Sequence, residues 1–148
     1  MENKTIALGH LNKFAGQWHT EGVVLPTASH AAIEVKGTDT YEWLPGNFFL
    51  LHKVDVLMGD NHVQTLEVIG FDESANHFTM QSYDNKGHST LMTATHVDDL
   101  WIFKGESMLF RGKFSENDTV FSGVWEQLNH EKVWAPYMNI KLVKVGEE

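Results

Sequence analysis

Two side chains capable of proton chemistry sit where an alternating strand would turn them inward. His52 alternates with Phe48, Leu50, Val54 and Val56, so it shares the more apolar face of its segment. Glu67 is in phase with Val63, Ile69 and Phe71. A carboxylate on an apolar face is costly unless it is paired or neutralised. Glu67 should therefore have a partner, a raised pKa or an outward orientation after all. His52 is either a hydrogen-bonded core histidine or a pocket group that orients a ligand or takes its proton. Glu126, beside Val124 and Trp125, poses the same question as Glu67.

Arg111 is the sole arginine, against ten lysines. A guanidinium fork suits a ligand carboxylate. Its neighbours argue the other way: Met108, Phe110, Gly112 and Phe114 make the apolar face, which leaves Arg111 with Leu109 and Lys113 on the solvated one. The nine histidines include no zincin pair and no His-x-His, so no metal site is expected from spacing. The chain has no cysteine, which excludes disulfides, thiolate ligands and cysteine nucleophiles. There is no Gly-x-Ser-x-Gly elbow and no glycine-rich phosphate loop. The five tryptophans, Trp18, Trp43, Trp101, Trp125 and Trp134, fall in strands or at strand ends, and two of them are expected to touch a ligand.

The elements that must position these groups are short strands. A helix of about two turns, capped by Asn3 or Thr5 and striped by Ile6, Leu8, Leu11 and Phe14, is expected to end near Gly16. From Gln17 the pattern has period two, broken by turn-forming clusters such as Gly59-Asp60-Asn61, Asp84-Asn85-Lys86-Gly87 and Glu116-Asn117-Asp118. About ten strands follow, with Asn47 to Met58 read as one of them. Connections this tight allow only antiparallel pairing. Closing the sheet removes both edges, so an all-β, up-and-down antiparallel barrel with a short N-terminal helix is expected, wide enough for one small ligand. Residues 1–148 read as a single domain, because no linker interrupts them. The net charge of −9 excludes a nucleic-acid backbone binder, and no apolar run is long enough to span a membrane. The start of the chain lacks the pattern of a secretory signal, and with the absence of cysteine this leads to a cytoplasmic expectation. The apolar run Phe48 to Leu51 raises a homodimer contact.

Gly16-Gln17-Trp18, at the start of the first strand, resembles the opening of the calycins, the lipocalin and fatty-acid-binding-like barrels. A longer series is similar to a small bacterial family of unknown function with a lipocalin-like barrel. It comprises Phe14 to Gly22, Glu42-Trp43-Leu44 followed by Gly46 and Phe48, Glu67 to Asp72, and then Phe78, Asp84 and Gly87. The nitrobindins share the Gly-x-Trp-x-x-x-Gly opening, and that resemblance implies a ten-stranded haem barrel with an iron-ligating histidine on the last strand. The last strand here, Trp134 to Leu142, has no histidine. Met138 or Tyr137 would have to ligate instead.

These observations lead to a barrel that binds a small, largely apolar molecule in its lumen. Trp43, Trp125, Trp134, Tyr137 and Met138 would form the wall, His52, Glu67 and Glu126 would orient the ligand, and Arg111 is a further charged candidate. No catalytic residue, metal or cofactor is assigned. Three alternatives stay open: an acid–base isomerase or hydrolase using Glu67 and His52, a nitrobindin-like haem protein, and an interaction module whose lumen is filled.

Overall fold

A computed structural model describes residues 3–146; the terminal Glu147 and Glu148 lie outside it. After the short helix α1 (Lys4–Leu11) and one 3-10 turn (Asn12–Phe14), ten strands follow: β1 (Gly16–Val24), β2 (Ile33–Trp43), β3 (Leu50–Met58), β4 (Asn61–Asp72), β5 (His77–Asp84), β6 (Ser89–Val97), β7 (Leu100–Lys104), β8 (Met108–Ser115), β9 (Val120–Leu128) and β10 (Trp134–Lys144). Each strand pairs antiparallel with the next, and β1 pairs with β10 to close the barrel.

The alternation of residue types sets the inward face. In β1, Trp18, Thr20 and Val24 are buried while His19 and Glu21 are exposed. In β2, Val35, Asp39 and Tyr41 are buried. The turns take the conformations their residues favour. Asp98 and Asp99 both have positive φ between β6 and β7, the geometry of a two-residue hairpin turn whose twist matches the strands.

The helix begins where Asn3 Oδ1 accepts the Ile6 N–H at 2.9 Å. Its buried face is Ala7, Leu11 and then Phe14, not the expected stripe through Ile6, which is 52% exposed. Small Ala7 lets the helix sit close under the barrel end, and Leu11 and Phe14 enter it. The segment from Asn47 is also not one strand: β3 begins at Leu50, and Phe48 and Phe49 stand exposed in the preceding loop, with Phe49 packed over Gly70.

The two halves of the lumen differ. At the helix end, Phe14 packs against Trp101, Phe114 and Phe121 with ring centroids 4.8–5.1 Å apart, and Trp18 closes the layer. The Trp18 indole N–H donates to the Phe14 carbonyl at 2.8 Å, fixing plug to wall. The far half is hollow. Its smaller core group is Val24, Val35, Val56 and Met138.

Candidate functional site

Strand register assembles a polar row across the middle of the lumen. Tyr41 lies directly opposite His52, His52 opposite Glu67, Glu67 opposite Ser82, and Ser82 opposite Thr90. Residues so paired project from the same face of the sheet. Asp39, two residues before Tyr41, reaches His52 diagonally.

The imidazole is held between two carboxylates. His52 Nδ1 is 2.8 Å from Glu67 Oε1, and Nε2 is 2.6 Å from Asp39 Oδ2. Carboxylates only accept, so both ring nitrogens carry protons and the ring is an imidazolium. Burial opposes this charge, but hydrogen bonds to Asp39 and Glu67, together with their negative charges, outweigh it and push the pKa up to about 9. The Thr20 hydroxyl donates to the other oxygen of Asp39. Tyr41 stacks on the imidazolium, ring centroids 3.9 Å apart and planes 6° apart, so its π face meets the cation. Burial, and then the charges of Asp39 and Glu67, raise the Tyr41 pKa well above that of a free phenol, so the hydroxyl stays neutral.

Two adjoining cavities flank this row. The smaller, about 190 Å³, lies toward the plug and is lined by Leu11, Phe14, Ile69, Met80, Ala94 and Trp101. The larger, about 440 Å³, runs to the barrel end away from α1, where Met58, Asp84, Thr90, Met108 and Tyr137 line it. Tyr41, His52, Val54, Thr65, Ser82, Met92, Phe103 and Trp125 border both. All five methionines after Met1 line one cavity or the other. Unbranched, polarizable side chains of this kind adapt to irregular contents.

The nominated residues divide into two groups. His52, Glu67, Trp125, Tyr137 and Met138 face the cavities. Trp43 does not: its indole N–H donates to Asn12 Oδ1 at 2.7 Å and ties β2 to the 3-10 turn. Trp134, half-buried at the start of β10 opposite Leu128, borders neither cavity. Arg111 and Glu126 pair with each other on the outer face, as the alternation of β8 requires, and neither borders a cavity. Of the five tryptophans, Trp101 and Trp125 are the two that line the hollow. Sequence reasoning missed Asp39, Thr20 and Tyr41. The signal was present, since Asp39 is in phase with Val35 and Tyr41, but Gly37 interrupts the pattern and hides the face.

Among the described residues no group of three or more His, Asp or Glu has the geometry to hold a metal. Haem iron needs a lone pair. Among the described residues His52 is the one histidine bordering either cavity, and an imidazolium bound on both nitrogens has none to give, so the lumen does not fit histidine ligation. No helix among the described residues is long and apolar enough to cross a membrane.

No curated protein matches the sequence. Among solved structures, the crystal structure of Rv2717c from M. tuberculosis is similar, with a TM-score of 0.71 over 95% of this chain and 98% of that one. The two share 9% of aligned residues, so this likeness concerns the barrel and its topology alone. The model of a family described as "Protein of unknown function (DUF1579)" matches residues 8–122, a stretch running from the plugging helix through the polar row to β9. By that match, which spans well over half its length, the chain belongs to the DUF1579 family.

Proposed function

We propose that the protein binds a small, largely apolar molecule inside its barrel, sequestering or carrying it as lipocalin-like barrels do. The observation that carries this reading is the division of the lumen. The helix half is largely filled by aromatic rings and keeps only about 190 Å³ of space, whereas the other holds a cavity of about 440 Å³ walled by Val, Met, Phe and Trp around one buried polar row. Small-molecule sites typically span about 300–1,000 Å³, with apolar walls and a few fixed polar groups. A packed lumen serving only as scaffold would have no use for such a space, since interiors ordinarily fill to crystal-like density.

The acid–base alternative has its two groups together, but the geometry weighs against His52 as a base. Its protons already point at Asp39 and Glu67, and an imidazolium has no lone pair with which to take another.

Native and denaturing mass spectra of protein purified from its own host, followed by titration of the stripped protein with Nile red, test the reading. A discrete mass increment lost on denaturation, or one-to-one dye binding abolished by Met92→Trp, is expected, because Met92 borders both cavities. A bare-chain mass together with dye binding that ignores the Met92→Trp blockade would overturn it.

A further inference from the structure

The lumen's polar groups are unbalanced in sign. Asp39, Glu67 and, at the mouth, Asp84 face the cavities with one cation, His52, between the first two. No lysine or arginine borders either cavity among the described residues. The protons of His52 are spent on the two carboxylates. Asp39 also receives the Thr20 hydroxyl. What the row has left to offer is chiefly acceptor capacity, above all the second oxygen of Glu67, for which the described contacts supply no donor.

A second, independent feature marks where the polar end of a ligand would sit. Tyr41 is 7% exposed and makes no side-chain hydrogen bond, yet no buried polar side-chain atom is left sealed and unsatisfied. Its hydroxyl is therefore not sealed in; the residue borders both cavities, feels the negative charges of Asp39 and Glu67, and can accept or donate a hydrogen bond. An unpaired hydroxyl near a carboxylate oxygen that also lacks a donor is a place for a ligand's polar end.

From these two features we infer that the lumen selects a small apolar amine, held as its ammonium or through its N–H donors by Glu67 and Tyr41, and disfavours carboxylates of the same shape. The selectivity is opposite to that of a barrel with an interior arginine. Here the one arginine, Arg111, is on the outer face. The chain's net charge of −9 adds to the field that draws a cation toward the mouth. This inference rests on the lumen-binding reading above and specifies the chemistry of the bound group.

Three naphthalenes of matched shape separate the two: 1-naphthylmethylamine, 1-naphthylmethanol and 1-naphthoate, titrated calorimetrically into the stripped protein at pH 7. The amine is expected to bind at least tenfold more tightly than the naphthoate, with the alcohol between. Glu67→Gln should remove most of the amine's advantage while leaving the alcohol's affinity within about twofold. If that variant does not fold, Asp84→Asn at the exposed mouth should narrow the gap in the same direction by a smaller factor. Naphthoate binding as tightly as the amine would overturn the inference and leave the lumen-binding reading standing. Failure of all three to bind at millimolar concentration would overturn that reading and this inference with it.

Discussion

The imidazolium at the centre of the polar row makes folding stability depend on pH in a defined window. His52 binds its proton more tightly in the folded protein, with a pKa of about 9 against 6.5 when unfolded. The stabilisation is therefore fully present below pH 6.5 and is lost as the pH rises through 9. A displacement of this size corresponds to roughly 3 kcal/mol, at about 1.4 kcal/mol for each pH unit. That is a large share of the ~5–15 kcal/mol by which domains are stable. Urea denaturation of the wild type from pH 6.5 to 9.5 should show the midpoint falling by about 1 M or more, given the usual dependence of ~1–3 kcal/mol per molar urea. Tyr41 enters only above pH 10, so it does not confound this range. His52→Gln, which carries no titrating proton, should be less stable at pH 6.5 and should lose the slope. Carbon-13 NMR of the His52 ring gives the pKa directly. A ring that is neutral at pH 7, or a midpoint that stays level across the window, would refute the imidazolium assignment and the charge balance drawn from it.

Other perturbations have equally definite outcomes. Glu67→Gln, by removing one of the two carboxylates that hold the His52 proton, should lower the His52 pKa, read by the same NMR titration. Arg111→Ala should cost no more than about 1 kcal/mol in urea denaturation, because its partner Glu126 is on the outer face and half-exposed pairs contribute little. It should also leave ligand affinity unchanged. Gly123→Ala should destabilise by ~1–3 kcal/mol. A methyl group there would lie 2.5 Å from the Phe110 ring and 2.2 Å from the Arg111 carbonyl. Leu11→Ala should cost ~2–5 kcal/mol by hollowing the plug, and it should enlarge the smaller cavity, which a crystal structure or xenon binding would reveal.

The architecture was legible because each strand declares itself twice, in its alternation and in the turn that ends it. Val97 and Leu100 bracket an aspartate pair that forms a tight turn, and ten strands are found where about ten were expected. His52 and Glu67 were legible for the same reason: period two put them on apolar faces, and a buried carboxylate needs a partner. That each is the other's partner was not legible, since it depends on the register of β3 against β4, fixed by the Gly59-Asp60 turn between Met58 and Asn61. Asp39 escaped notice because Gly37 supplies no side chain to mark the inward face of β2 at that point. Trp43 and Trp134 were nominated as lumen walls on size alone. Their places were decided by the strand ends, where indoles can also serve a capping contact such as that of Trp43 with Asn12. Ile6 misled in the helix because small Ala7 leaves no trace in a pattern of large apolar residues, although it is the residue that permits close approach.

Closure of the sheet by β1 against β10 has a kinetic consequence. Nine of the ten pairings join strands adjacent along the chain, and hairpins of this kind form in about 1–10 μs. The tenth sets Trp18 opposite Lys144 and Val24 opposite Met138, nearly the full length of the chain apart. Loop-closure entropy opposes that contact until the intervening meander has shortened the path. The seam is thus the step whose formation the other pairings must precede, and until it closes the two outer strands present unpaired backbone to any neighbouring chain. Asp39 and His52 are joined early in this order, on one hairpin. Thr20 stands on the strand that closes the seam.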